Sequence, residues 1–241
     1  MERLLILGDA NLLSTKILIR EILAIMNHRE DIELAGVVDT ARSGPPGRLT
    51  RSLQSLAFCA ARKILNPLER FPKPIMQTVN LYDICRKARV RVIVPGKRDV
   101  NNQDFVNWLK ETIRPTLGLS IGCCQVFKKP LIDVFEVFVN YHNGILPHYK
   151  GLSATAWSLY FNEEHTGFSY HLISEGIDAG NILVQDAIRS SETEPVADLE
   201  FRKTIAARAY LETVMEMMIR RESGSAHQGA PGYFGKKELE A

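Results

Sequence analysis

The 241-residue sequence has no surplus of either charge: 28 acidic side chains stand against 30 basic ones, a formal net charge of +2. Bulk electrostatics therefore gives no reason to expect a nucleic-acid or membrane partner. Long hydrophobic runs are also missing. Leu4 to Leu7 is too brief for the core of a secretory signal, and no stretch approaches a membrane span. A cytoplasmic protein is expected. Cysteine is sparse: Cys59, Cys85, Cys123 and Cys124 form no CxxC pair and no zinc-ligand spacing, so no metal is expected. A GxSxG elbow is absent too, which argues against a serine acyl-enzyme.

What is present is an ordinary globular mixture, 45% hydrophobic and 24% charged, long enough for one large domain with a small appendage. Basic residues gather in one stretch (Arg42, Arg48, Arg51, Arg62, Lys63, Arg70 and Lys73) in which Glu69 is the only acid. Such a stretch reads either as a solvated face or as a site that attracts a phosphate-bearing substrate.

Apolar periodicity gives the framework. Leu4 to Gly8, Glu33 to Val38, Arg91 to Pro95, Leu117 to Ile121, Val137 to Asn140, Gly167 to His171 and Ile182 to Gln185 read as strands. Helical spacing covers Leu12 to Met26, Leu49 to Ile64, Asp104 to Thr112, and a segment capped by Ser153 that runs to Tyr160. Ser43 to Gly47 is a loop, and Ser191 to Pro195 opens one last helix. Its stripe of Leu199, Ala206, Tyr210, Val214 and Met217 serves a core, or equally a homodimer face. Gly224 to Gly235 reads as an irregular tail. Alternating strands and helices predict an α/β fold: a Rossmann-like, mostly parallel twisted sheet with helices on both faces. The last two strands are expected to pair antiparallel at one edge. Residues 1–190 would form the catalytic domain, and 191–241 a short C-terminal helical extension and tail.

The chemistry gathers between Asn140 and Ile182. Asn140 and His142 lie two apart at the end of a strand, so an extended chain points both to one face, at the end of a parallel sheet where ligands bind. Asp178, in a later loop before Gly180, can return to meet them. An amide N–H can stabilise an oxyanion, a neutral imidazole can take a proton from an attacking amine, and a carboxylate can orient that imidazole. By pattern alone each residue has a plainer reading: Asn140 caps a turn, His142 and His171 are packed, and Asp178 is a turn residue.

In these elements the chain resembles the 10-formyltetrahydrofolate-dependent formyltransferases. The resemblance rests on Asn140-Tyr-His142, Ile145-Leu-Pro147, Tyr149-Lys-Gly151, Thr166-Gly167, His171 and Asp178-Ala-Gly180, in order and at matching spacing. It is strong over residues 117–186 and looser before. It implies a catalytic trio of Asn140, His142 and Asp178. It also implies a folate cleft between Cys124-Gln125-Val126-Phe127 and Ser174-Glu175-Gly176-Ile177, largely through main-chain groups. The expected donor is 10-formyltetrahydrofolate and the acceptor a small-molecule amine.

Departures from the family narrow the acceptor. Gly144 stands where many members carry serine. The first loop, Gly8-Asp9-Ala-Asn-Leu12, lacks the glycine-rich phosphate cradle of the purine-pathway enzyme, and Asp9 would repel a phosphate. After Asp186, one helix and a tail leave no room for the β-barrel of methionyl-tRNA formyltransferases. The loop Asp39 to Gly47 resembles that of the sugar-nucleotide and methionyl-tRNA branches more than that of the purine branch; with the arginines nearby, an amino-deoxysugar nucleotide is the first expectation. N-hydroxyornithine and glycinamide ribonucleotide are alternatives, as are formyltetrahydrofolate hydrolysis and a non-catalytic folate- or nucleotide-binding module.

Overall fold

The computed structural model describes residues 1–42, 79–191 and 193–234. The expected loop Ser43–Gly47, the helix from Leu49 to Ile64 and the basic residues from Arg48 to Lys73 lie outside them. Strands β1 (Glu2–Gly8), β2 (Ile32–Asp39), β3 (Val92–Ile93), β4 (Leu117–Ile121), β5 (Val137–His142), β7 (His165–Leu172) and β8 (Ile182–Arg189) form one sheet. Its order is β3-β2-β1-β4-β5-β7-β8. The first five are parallel; β7 runs antiparallel to β5, and β8 antiparallel to β7, as expected for the edge.

Alternation along β1 shows why the chain folds this way. Leu4 and Ile6 point to one face and Leu5 and Leu7 to the other, all of them buried. A strand covered on both sides needs such a continuous apolar run. Each of these side chains contributes roughly 1.5–3 kcal/mol by leaving water. One face is covered by α1 (Leu13–Met26), α2 (Leu81–Lys87), α6 (Val196–Arg208) and α7 (Leu211–Ile219), through Leu18, Ile22, Leu81, Ala207, Leu211, Val214 and Met218. The other is covered by α3 (Gln103–Trp108) and α4 (Lys129–Ile132), through Val106 and Leu131. Helices α2 and α3 begin on Asn80 and Asn102, whose side chains accept the Tyr82 and Phe105 N–H groups at 2.9 and 3.0 Å. Such caps satisfy otherwise orphaned donors.

Several expected elements change. The strand from Arg91 to Pro95 shortens to Val92–Ile93, because Pro95 has no N–H for a ladder and leads into a 3₁₀ turn at Gly96–Arg98. The helix over 104–112 gives way after Trp108 to a π-type turn, Leu109–Ile113, closed by Arg114 N–H on the Leu109 carbonyl. Ser153 does not cap α5 (Ala154–Tyr160): it sits in the left-handed region at φ 62° and its side chain makes no capping bond. The single last helix is two. The chain breaks at Ala209–Tyr210, where Tyr210 reaches Asp186 through its hydroxyl at 2.7 Å and packs on Phe168. Beyond the break the buried stripe shifts register, so that Met215 and Met218 enter the core in place of Met217. The tail is ordered where it meets the rest. Ser225 bridges to Ile182, and β9 (Tyr233–Phe234) pairs with β6 (Lys150–Gly151).

Candidate active site

Strand β5 stays extended through His142, two residues past its expected end, so Asn140 and His142 share a face. The antiparallel register sets Asn140 opposite His171 and His142 opposite Ser169. Asn140 Nδ2 lies 3.2 Å from His171 Nε2. The other ring nitrogen of His171, Nδ1, lies 2.9 Å from the Leu172 carbonyl, which orients the ring and sets Nε2 toward the Asn140 amide and the cleft. The Asn140 side chain thus lies against His171 in the lining of the cleft.

Asp178 completes the group. It adopts φ 44°, a conformation uncommon outside glycine, in the loop between β7 and β8. Gly180 lets that loop fold back: a Cβ there would lie 1.9 Å from the Leu172 carbonyl oxygen. One carboxylate oxygen is 3.4 Å from His142 Nδ1 and accepts the Gly151 N–H at 2.8 Å; the other is 3.4 Å from His171 Nε2. His142 Nε2 lies 2.9 Å from the Tyr149 carbonyl. The three residues expected from sequence, Asn140, His142 and Asp178, are therefore brought together, with His171 between them.

The electrostatics suit proton transfer. Burial holds His142 below the ordinary imidazole pKa, although Asp178 pulls the other way, so the ring is a neutral base near pH 7. Burial alone would raise the Asp178 carboxyl. The His171 hydrogen bond, the charges of both histidines and the Gly151 N–H outweigh it and keep the group ionised, well below the usual carboxylate range. Donating Nε2–H to Tyr149 leaves His142 Nδ1 open, and a proton arriving there closes an ion pair with Asp178.

These four residues line a cleft of about 460 Å³. Cys124, Gln125, Val126 and Phe127 form one wall, and Ser174, Gly176 and Ile177 the facing lip; Glu175 is exposed and lies outside the lining. Val126 and Ile177 are exposed apolar lips, with Phe127 and Ile173 deeper. The Gln125 side chain turns away, donating to the Thr40 and Arg98 carbonyls and accepting from Val100, so that it pins three loops together. Burial pushes the Cys123 thiol up to about 11 and raises Cys124 as well, so neither is a ready thiolate nucleophile.

Sequence reading did not select His171, the Gly151 N–H or the Tyr149 carbonyl as site groups. Only the β5–β7 register and the returning loop reveal them. It also missed helix α6, whose Ala197, Glu200, Phe201 and Thr204 form a further wall. Among the described residues no group of three or more His, Cys, Asp and Glu side chains is placed to hold a metal ion. No helix among them is long and apolar enough to cross a membrane.

A half-buried amide, two buried imidazoles and an ionised carboxylate in one cleft are the groups of an acyl-transfer site, and the chain belongs to the formyl transferase family, whose model matches residues 84–214. It is 35% identical over 99 residues to the GDP-perosamine N-formyltransferase of Brucella melitensis, covering 41% of this chain and 38% of that protein. Over 181 residues it is 26% identical to the methionyl-tRNA formyltransferase of Thermodesulfovibrio yellowstonii, covering 72% of this chain and 58% of that one. The matches thus span well under two thirds of these relatives' lengths. The fold is that of a sugar N-formyltransferase from a Shewanella species, with a TM-score of 0.69 at 18% identity over 100% of this chain and 79% of that one. It is shared with glycinamide ribonucleotide transformylase 1 from Symbiobacterium toebii, at 0.66 and 18% identity over 95% of each.

Proposed function

We propose that this chain is an N-formyltransferase that moves the formyl group of 10-formyltetrahydrofolate to the amine of a small molecule, an amino-deoxysugar nucleotide being the first choice. The observation that carries the reading is the contact of Asp178 with both His142 and His171, and of His171 with Asn140, inside one cleft. The donor's shape fits that cleft: exposed apolar lips at Val126 and Ile177 suit a flat heterocycle, and main-chain groups of 124–127, 174 and 176–177 would hold its polar edge. The donor supplies an electrophilic formyl carbon.

An N–H of the Asn140 amide would meet the negative charge that gathers on the formyl oxygen as the amine attacks. His142 takes the proton that the amine sheds when its C–N bond forms, and Asp178 stabilises the resulting imidazolium. As the bond from carbon to the donor nitrogen breaks, the same proton passes to that nitrogen, leaving the formamide and tetrahydrofolate. Atoms and charge balance without a covalent enzyme adduct.

The choice of acceptor rests on the sequence likeness to GDP-perosamine N-formyltransferase and on the Asp39–Gly47 loop. The test follows tetrahydrofolate release with amino-deoxysugar nucleotides, N-hydroxyornithine, glycinamide ribonucleotide, methionyl-tRNA and no amine. Turnover that depends on a sugar nucleotide supports the reading. Formate release at the same rate without an amine would make the protein a hydrolase.

A further inference from the structure

Lys203 on α6 is a buried charge that formyl transfer, as described above, does not use. It is 0% exposed, and its Nζ donates to the Asn143 carbonyl and the Thr155 hydroxyl, each at 3.2 Å. Burying an ammonium is expensive unless it is paired, and a leucine or methionine would fill an apolar slot more cheaply. Both of its partners border the cleft. Asn143 directly follows His142, and Thr155 lies in the first turn of α5, which supports the 151–155 wall. Lys203 thus ties three elements of the site from behind: the turn after β5, α5 and α6.

We propose that Lys203 is a positioning residue of the formyl-transfer site: it pins the turn that follows His142 and holds a positive charge behind that imidazole. This rests on the function proposed above. The charged groups around the pair are few. Burial works against the Lys203 charge and outweighs Glu200, one turn earlier on α6, and Glu194, just before that helix, which favour it, so the ammonium is held in the acid range where His142 titrates. Asp178 favours a protonated His142, while His171 and Lys203 oppose it. A charged Lys203 therefore lowers the basicity of His142 and keeps the imidazole unprotonated, and so free to act as a base, at lower pH. Its hydrogen bond to the Asn143 carbonyl fixes where the ring is held.

Two variants separate the two effects. Lys203→Gln keeps a donor for the Asn143 carbonyl and drops the charge; Lys203→Met drops both. The readout is the NMR titration of the His142 ring nitrogens, identified by their absence in His142→Asn, alongside the pH profile of formyl transfer. Removing the nearby positive charge raises the His142 midpoint in both variants. The acidic limb of the rate moves up with it, and plateau kcat falls further in Lys203→Met than in Lys203→Gln. A His142 midpoint unmoved in a folded Lys203→Gln protein overturns the inference. Because the titration needs no turnover, it decides this point even if no amine is formylated, an outcome that would count against the proposed function instead.

Discussion

Gly144 stands where the family resemblance leads us to expect serine, and the structure gives a physical reason why serine would not help here. A Cβ on residue 144 would come within 2.8 Å of both the Ala154 Cβ and the His142 Nε2. The methyl group of Ala154 is fixed by the backbone of α5, so the imidazole must yield. It is held by the 2.9 Å contact to the Tyr149 carbonyl and the 3.4 Å approach to Asp178, and a shift of several tenths of an ångström opens both. Overpacking of this kind costs about 1–3 kcal/mol. At about 2–4 °C per kcal/mol for a chain of this size, melting should drop by roughly 2–12 °C. Displacing a catalytic base by an appreciable fraction of an ångström lowers kcat by about 10- to 100-fold. The assay is steady-state formyl transfer by Gly144→Ser and Gly144→Ala, with melting curves on the same samples. Both variants should lose kcat equally, since the Cβ and not the hydroxyl does the damage. A Gly144→Ser enzyme with wild-type kcat and a lower acceptor KM would refute the reasoning.

Asn140→Ala should lower kcat by about 10²–10³-fold with a small change in donor KM, the signature of a lost oxyanion donor, read from steady-state kinetics. Because burial lowers the His142 pKa, the rate should be flat near neutrality and fall as pH drops through a midpoint below the usual imidazole value; that limb should vanish in His142→Asn. The Asp178 carboxyl is depressed in the folded state, so its contribution to stability is full above the ordinary carboxylate value of 3.8 and is lost as pH falls below it. Denaturation midpoints of Asp178→Asn and wild type should therefore converge in acid. Burial lowers Lys203 to about 7, so above that pH the unfolded chain binds a proton that the folded chain does not, and stability should rise toward the ordinary lysine value of 10.5. Lys203→Met should flatten that rise in urea titrations at pH 7–10.

The sheet was legible because burial on both faces writes itself as unbroken apolar runs such as Leu4–Leu7 and Leu117–Ile121. Strand alternation placed Asn140 and His142 on one face, but it was the resemblance to the formyltransferases that singled them out from their plainer readings. Other features depend on contacts that local pattern does not contain. The helix break at Tyr210 answers to Asp186 and Phe168, and the left-handed turn at Ser153 overrides its capping chemistry. His171 looked like packing because the partner that gives it a task, Asn140, is thirty-one positions away and meets it only through strand register. Lys203 carries no local signal in the sequence; only the tertiary structure shows that its face of the helix is an inner one.

Helices α1 and α7 come from opposite ends of the described chain, yet Leu18, Ile19 and Ile22 share one apolar layer with Leu211, Val214 and Met218. Neither end can bury its side of that layer before the other arrives. Contacts of such sequence separation slow folding, because the intervening chain must be gathered before they give any return. Assembly should then be one cooperative event, and hydrogen exchange in α1 and α7 should slow together during refolding. A cut near residue 190, between β8 and α6, would strand residues 1–190 with an uncovered greasy face and yield aggregate instead of a working fragment.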